Sequence, residues 1–415
     1  MTITVNITDT TIPSGIASII KDLPDTKDLT ADNVEIILSF GDAYIYHTGL
    51  IFLATWRKTL PSHVKVVIDD TRCQEEARRV ITKSGFRELI ENNTEAPSNV
   101  NYYPGKVPLQ PVVRGYSTEL AINNICKIFE TSVGQLDMKA FRTLLSELCE
   151  NVYAHSKFET PGYISASLHA DKCEIAIVDS GIGILNSYLE GSNDEAKTRI
   201  SHGASAIALA IDGWVSSKPA RLLGSLNTHY GYGLRIVRGL VEKNRGRLTI
   251  ASGKEIVTVE RYQKNRGNLE KSWNGTFVGL MIDLQNPLSL EEVFDEIDKE
   301  TFSPQQTKKS KPVATEQPLQ EMEFVVANYG NQLLTRELGI AIRADLATIL
   351  SSGARVKVVL DGIDDITPSV ADECFGKLAE SMGSDKFNQM VILAGGQSLV
   401  QRLINLVIKN RISAK

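Results

Sequence analysis

The chain has 415 residues, of which 42% are hydrophobic and 23% are charged, and its formal net charge is −5. This composition indicates a soluble globular protein of two to four domains, and the negative charge argues against a nucleic-acid groove as the main functional surface. No apolar run reaches the length that a bilayer span needs, and the amino terminus lacks the pattern of a signal peptide. We therefore expect a cytoplasmic protein without membrane contact. The five cysteines are scattered and contain no Cys-x-x-Cys pair, which argues against a disulfide framework or a zinc site.

The amino-terminal part shows strands that alternate with helices. Hydrophobic spacing predicts strands over 34–38 and 64–68 and helices over 48–60 and 75–89. We predict an α/β interaction domain over residues 1–100, in which we find no catalytic constellation. Residues 101–111 contain three prolines and a glycine, a composition typical of a connector.

The first motif of chemical interest lies on a predicted helix over residues 138–155. Apolar residues recur there at helical spacing, and Glu147 and Asn151, four residues apart, share one face. An amide oxygen can bind Mg²⁺, which prefers oxygen ligands, and a carboxylate can orient or deprotonate a water molecule or a hydroxyl group. The alternative is the solvated face of an ordinary amphipathic helix.

The second motif follows a predicted strand over residues 174–178. Asp179 closes this strand, and Gly181 and Gly183 follow in the sequence Asp-Ser-Gly-Ile-Gly. Glycine lets a ligand approach the backbone closely, and an aspartate at such a turn can accept a hydrogen bond from an exocyclic amine such as that of adenine. A tight turn with a capping aspartate is the alternative.

The third motif, Gly231-Tyr-Gly233-Leu234, opens another predicted helix. Glycines before a helix present free N–H groups and the positive end of the helix dipole, an arrangement that suits a phosphate chain. No Gly-Lys-Ser/Thr follows at the spacing of a Walker loop. The alternative is a helix terminus with permissive glycines and no ligand.

The ordered set of three motifs resembles the GHKL ATPase superfamily of gyrase, Hsp-type chaperones, histidine kinases and MutL. They are similar to its N box and its two glycine boxes, and Gly275-Thr276 is similar to its late Gly-Thr element. The resemblance covers residues 112–285 and is closest to the anti-sigma serine-kinase branch, because Ala154-His155 follows Glu-x-x-x-Asn. It implies an α/β multidomain protein with a central Bergerat-type sandwich, a mixed sheet with helices on one face.

The same resemblance implies a role for each motif residue and the cofactors ATP and Mg²⁺. Glu147 would be the general base and Asn151 the Mg²⁺ ligand. Asp179 would contact the adenine amine, with Thr276 nearby through water. The remaining nucleotide-binding residues would make room for the nucleotide or lie along its phosphates: Gly181, Gly183, Gly231, Gly233 and Leu234. Superfamily members often dimerise, so a homodimer is a further expectation.

A long segment, residues 185–230, separates the two glycine boxes and contains a predicted helix over 204–211. A loop of this length in a compact domain is usually functional, so we expect a lid over the nucleotide. Lys218 and Arg221 lie within it, and either they contact phosphate or they are ordinary surface charges.

A polar stretch, residues 286–321, predicts a flexible linker, with a short acidic helix over 288–297 at its start. Strand and helix patterns alternate over the remaining residues, 322–415, which predicts a second small α/β domain with a largely parallel sheet. This segment resembles the STAS-like domain of unknown function, and the resemblance implies two small STAS-like α/β domains, over residues 1–100 and 322–415, on either side of the central sandwich. Ser369 begins a predicted helix at the position where STAS antagonists carry a phosphorylated serine. The alternative is that a hydroxyl in this turn is simply a helix cap.

Three functions compete on this evidence. The first is a GHKL-class regulatory ATPase or serine/threonine protein kinase, whose nucleotide state is coupled to STAS-like modules and their protein partners in bacterial signalling. The second is a non-catalytic scaffold whose interactions are gated by ATP, which the intact Glu147 argues against. The third is a sensor histidine kinase, but the predicted helix before the ATP-binding region, 119–131, contains no acceptor histidine.

Overall fold

The computed structural model describes residues 1–98, 105–113, 116–130, 137–155, 162–191, 193–212, 232–301 and 321–413. Described residues up to Leu288 form one compact unit, and those from Ser289 onward form a second. Helices and strands alternate through both, which confirms the predicted α/β class. None of the described helices is long and apolar enough to cross a membrane.

The first unit begins with a three-stranded parallel sheet in the order β1-β2-β3. Its side chains alternate between a buried and a more exposed face, as the pleat of a strand requires. The elements of this segment are β1 (Thr2–Asp9), α1 (Ser14–Asp22), β2 (Val34–Tyr44), α2 (His47–Thr59), β3 (Val64–Asp69), α3 (Glu75–Lys83) and α4 (Phe86–Glu91).

The prediction of one helix over residues 75–89 was wrong, because the chain breaks between α3 and α4. Gly85 there has a φ of +80°, in the left-handed region that favours glycine. A Cβ at this position would lie 2.6 Å from the Pro97 side chain. The break therefore coincides with a left-handed glycine directly after the C-cap residue Ser84, a local helix-end signal that the apolar spacing does not report.

A five-stranded sheet follows, in the order β4-β5-β6-β8-β7, and all four of its strand pairings are antiparallel. The described strands therefore form an antiparallel sheet, which differs from the expected mixed sheet. Its elements are β4 (Lys106–Val112), α5 (Tyr116–Glu130), α6 (Met138–His155), β5 (Gly162–Leu168), β6 (Lys172–Asp179), α7 (Gly183–Glu190), α8 (Asp194–Ser201), α9 (Ala206–Asp212), α10 (Tyr232–Lys243), β7 (Arg247–Glu260) and β8 (Gln263–Asp283).

Part of the predicted connector over 101–111 is the edge strand β4, so that prediction was wrong for residues 106–111. Pro108 and Pro111 lie in this strand. An edge strand tolerates proline because one of its sides makes no ladder hydrogen bonds.

The amino-terminal segment packs on one face of the five-stranded sheet, and the two share a hydrophobic core. Ala176 and Val178 of β6 belong to this core together with the residues of α1 and α2. Phe52 of α2 packs on Trp273 of β8, with ring centroids 4.5 Å apart. Since side chains alternate along β6, the intervening residues point to the opposite face, where α5, α6 and α10 pack.

Gly279 of β8 permits the closest approach between these two layers. A Cβ there would lie 2.7 Å from Cδ1 of Ile12, which belongs to the turn between β1 and α1. A glycine inside a strand often marks such an approach. A side chain at this position would require the side chains of Ile12 and Phe277 to shift.

The second unit contains a three-stranded parallel sheet in the order β13-β11-β9 and a short parallel pair, β10-β12. Its first helix, α11, occupies part of the predicted linker, and residues 302–320 of that linker lie outside the described residues. The elements are α11 (Leu290–Thr301), β9 (Glu321–Val325), β10 (Gln332–Leu333), α12 (Arg336–Ser351), β11 (Arg355–Val359), β12 (Asp365–Ile366), α13 (Pro368–Ala371), a π-helical turn (Asp372–Gly376), α14 (Lys377–Met382), α15 (Ser384–Met390), β13 (Val391–Ala394) and α16 (Ser398–Ser413).

Two buried ion clusters attach α12 and α16 to the π-helical turn. Arg411 of α16 is fully buried and donates to both carboxylate oxygens of Asp372, at 2.7 and 2.6 Å, and to Glu380 at 2.7 Å. Glu373 is also fully buried and accepts from Arg343 at 2.7 Å and from Lys377 at 2.5 Å. Asp372 and Glu373 are consecutive in the π turn, yet their carboxylates pair with different basic residues. The geometry of the turn therefore allows both buried acids to be paired.

The parallel sheets of the two units share one detail. Lys65 of β3 pairs with Glu35 of β2 at 2.8 Å, and Lys357 of β11 pairs with Glu323 of β9 at 2.7 Å. In both sheets the lysine and the glutamate are direct neighbours in the strand register. Each lysine belongs to a Val-Lys-Val-Val strand. The two terminal segments therefore share both this short sequence and the Lys–Glu pair that it forms with the neighbouring strand.

Candidate nucleotide-binding site

The residues of the first and third motifs meet in the folded chain. Glu147 of α6 is buried, with 4% of its surface exposed. Gly233 lies in the first turn of α10, and a Cβ at Gly233 would clash with Oε2 of Glu147. The carboxylate thus lies beside the amino-terminal end of a helix, where the helix dipole favours negative charge.

Asn151 lies one helical turn beyond Glu147 on the same face of α6. Its Nδ2 atom is buried and has no hydrogen-bond partner among the described residues. A buried amide with unused hydrogen-bonding capacity is costly unless something else contacts it. The Nδ2 group can therefore donate to a further acceptor, whereas the amide oxygen Oδ1 is the atom that a metal ion would contact.

The second motif and the late Gly-Thr element meet at the end of the sheet. Asp179, Thr276 and Ser252 face one another in register across β6, β8 and β7. The N–H of Gly181 donates to Oδ1 of Asp179 at 2.8 Å. Burial raises the pKa of Asp179 to about 7, because desolvation outweighs the hydrogen bonds that Gly181 and Thr276 donate to it.

Gly183 is required by the packing of α7 against the sheet. Its φ is +73°, and a Cβ there would lie 2.8 Å from Oγ of Ser252 and 3.0 Å from the carbonyl oxygen of Gly275. Gly275 itself lies against the backbone carbonyl of Asp179. These glycines bring the three segments around Asp179 into direct backbone contact.

Ser252 is the residue of this site that the sequence motifs did not identify. Its hydroxyl, 3% exposed, donates to Gly275 O at 2.7 Å and accepts from the N–H of Ile184 at 2.9 Å. These partners are 23 and 68 residues away in the sequence. A serine in a strand carries no local pattern that reveals such contacts.

The remaining predicted residues take no part in the contacts described above. Leu234 is half-buried in α10, whereas Gly231, Lys218 and Arg221 lie outside the described residues. Ser369 is in the second unit, where it is 9% exposed. The cap of that helix is Thr367, whose side chain accepts from the N–H of Val370, with Pro368 at the first helical position.

The described residues fit an ATP site in which the nucleotide carries most of the metal coordination. No group of three or more His, Cys, Asp or Glu side chains among them is arranged to hold a metal ion. Mg²⁺ is commonly held by one or two protein ligands together with water and substrate phosphates, and Asn151 can supply one such ligand.

Comparison with protein families agrees with this geometry. Residues 136–268 match the model of the family described as histidine kinase-, DNA gyrase B-, and HSP90-like ATPase. The chain therefore contains a GHKL-type ATP-binding domain, and all three motifs lie within the matched residues. A comparison with curated proteins finds no match to the chain.

Proposed function

We propose that this protein hydrolyses Mg²⁺-bound ATP or transfers its γ-phosphate to a protein hydroxyl, and that its nucleotide state controls STAS-like modules at both ends of the chain in bacterial signalling. The observation that carries the proposal is the contact between the Glu147 carboxylate and Gly233 at the start of α10. This contact supports the proposal because it brings a carboxylate, which would act as the base, close to a helix terminus that suits phosphates.

Each residue would have a separate task in this reaction. Glu147 would take the proton of the attacking water or hydroxyl, and Asn151 would hold the metal. Asp179, with Thr276, would accept the amine of the adenine base. Bound Mg²⁺ would neutralise charge on the β- and γ-phosphates, and the backbone N–H groups at the start of α10 would lie along the phosphate chain.

Strand β6 supports the proposed coupling to the amino-terminal module. It carries Asp179 at one end and Glu174 near the other. The Glu174 carboxylate, 9% exposed, accepts a hydrogen bond from the hydroxyl of Thr48 in α2 at 3.3 Å. One strand thus joins the proposed adenine contact to the helix layer that covers the sheet.

Ser369 is the proposed internal phosphoacceptor. Its burial hinders transfer in the conformation described here, since an acceptor hydroxyl must reach the γ-phosphate. Transfer to Ser369 therefore requires that the start of its helix open, whereas transfer to a separate protein does not.

The test is to follow the γ-phosphate of labelled ATP with Mg²⁺ in the wild type, in Glu147→Gln and in Glu150→Gln as a same-helix control. Loss of a positioned base commonly slows such reactions by about 10²- to 10⁴-fold. We expect that loss in Glu147→Gln, with ATP binding retained, and little change in Glu150→Gln.

Label on protein would identify a kinase, with peptide mapping as the test of Ser369, and released phosphate would identify an ATPase. If the wild type binds ATP but leaves the label on it, catalysis is excluded and the ATP-gated scaffold replaces this proposal.

A further inference from the structure

The hydroxyl of Ser252 joins the two backbone segments that flank Asp179. It donates to Gly275 O at 2.7 Å and accepts from Ile184 N at 2.9 Å. Gly275 precedes Thr276, the strand neighbour of Asp179, and Ile184 is the second residue of α7, directly after the Asp-Ser-Gly-Ile-Gly turn. One hydroxyl group therefore fixes the turn on one side of Asp179 and the strand on the other.

The surroundings leave no substitute for this hydroxyl. Ser252 is 3% exposed, so bulk water does not reach its partners. Its neighbour Gly183 has no side chain, and a Cβ there would lie 2.8 Å from the Ser252 oxygen. Removal of the hydroxyl would leave a buried carbonyl and a buried N–H without this partner, which favours movement of both segments.

We propose that Ser252 is a positioning residue for recognition of the adenine base, and that it acts through Thr276 and Asp179 without touching the nucleotide. The inference rests on the proposed function, because it assumes that Asp179 faces the base. The hydrogen-bond partners of Ser252, Ile184 and Gly275, lie beside Asp179, whereas Glu147 contacts Gly233. The effect should therefore fall on base selectivity more than on phosphate chemistry.

The hydrogen-bonding groups of adenine and guanine predict the direction of this base selectivity. Adenine presents an amine that donates to a carboxylate, whereas guanine presents a carbonyl oxygen at the same ring position. A correctly placed Asp179 carboxylate thus favours ATP and disfavours GTP, since an unpaired or repelled polar group in a closed site is costly. If Asp179 loses its alignment, ATP loses affinity and GTP does not.

The experiment uses the full chain and competition by ATP or GTP against a ribose-labelled fluorescent ATP analogue with Mg²⁺. Ser252→Ala should lower the ratio of ATP affinity to GTP affinity by about tenfold, the size of one lost buried hydrogen bond. Ser252→Thr keeps the hydroxyl and should retain most of the ratio. Ser165→Ala is the matched control, because Ser165 is fully buried in β5 and donates to Val107 O at 3.1 Å.

The outcomes separate this inference from the function on which it rests. If the wild type binds no ATP, the proposed function fails and the inference fails with it. If the wild type prefers ATP and Ser252→Ala keeps the same ratio, or loses both nucleotides equally, the inference alone is overturned. Ser252→Cys, which retains the size with a weaker donor and acceptor, carries the test if Ser252→Ala does not fold.

Discussion

Burial raises the pKa of Asp179 to about 7, so this carboxyl group changes charge near neutral pH. Its value in the folded state lies above the ordinary value of about 3.9, so the folded state binds the proton more tightly than the unfolded state does. The contribution of Asp179 to the free energy of unfolding is therefore fully present below about pH 4 and is lost as the pH rises to about 7. A ligand amine that donates to the carboxylate would reverse part of this cost.

We predict that ATP binding weakens as the pH falls below about 7, by up to about tenfold for each pH unit. The reason is that protonation of Asp179 removes the acceptor for the adenine amine. ATP dissociation constants of the wild type and of Asp179→Asn, from about pH 5.5 to about 8.5, test this. Titration of the nucleotide phosphates is common to both proteins and cancels in their ratio. A ratio that stays constant over this range would rule out Asp179 as the titrating group.

The site residues that the sequence predicted share a helix or a turn. Glu147 and Asn151 are one helical turn apart, and the backbone contact of Gly181 with Asp179 is local. The approach of Glu147 to Gly233 joins distant parts of the chain, as do the contacts of Ser252. Sequence spacing reports neighbours along one element, so it relates Glu147 to Asn151 but does not report the approach of Glu147 to Gly233 or the contacts of Ser252.

At the scale of elements, helical periodicity predicted α6 at both ends, Met138 and His155, because its apolar face is continuous. The same signal failed at α3 and α4, where the periodic residues continue across Gly85 but the chain turns against Pro97. Prolines similarly led to a connector prediction where β4 forms an edge strand. The first error overlooked the local helix-end signal of Gly85, and in the second the pairing of β4 with β5 overrides the local preference of its prolines.

Gly279 tests how the amino-terminal layer is attached to the five-stranded sheet. We predict that Gly279→Ala costs about 1–3 kcal/mol of stability, since its Cβ would overlap Ile12. Ile12→Ala removes two of the three nearest obstructing atoms and leaves Cε1 of Phe277, so the double variant should lose less than the sum of the two single losses. Chemical unfolding of the four proteins measures this coupling. Gly41→Ala is the control, because a Cβ there meets no atom within 4 Å; additive losses would show that Ile12 and Gly279 do not interact.

At the scale of the whole molecule, the described residues divide after Leu288 into two compact units. The core of the first joins the amino-terminal layer to the sheet, and the second relies on fully buried charges around the π-helical turn. We therefore expect the stability of the first unit to depend on how its side chains fit together, and that of the second to depend on the pairing of its buried charges. Substitutions of each kind should therefore act on one unit and leave the other unchanged.

We predict two thermal transitions for the full chain in calorimetry. Arg411→Leu leaves Asp372 buried without its main partner, a loss of about 3–5 kcal/mol, and should lower only one transition, by roughly 10 °C or more. Gly279→Val should lower only the other. Lys357→Met, which breaks an exposed pair in the same unit as Arg411, should cost no more than about 1 kcal/mol. If the full chain instead shows a single transition that Arg411→Leu and Gly279→Val both lower, the two units unfold together and this prediction is wrong.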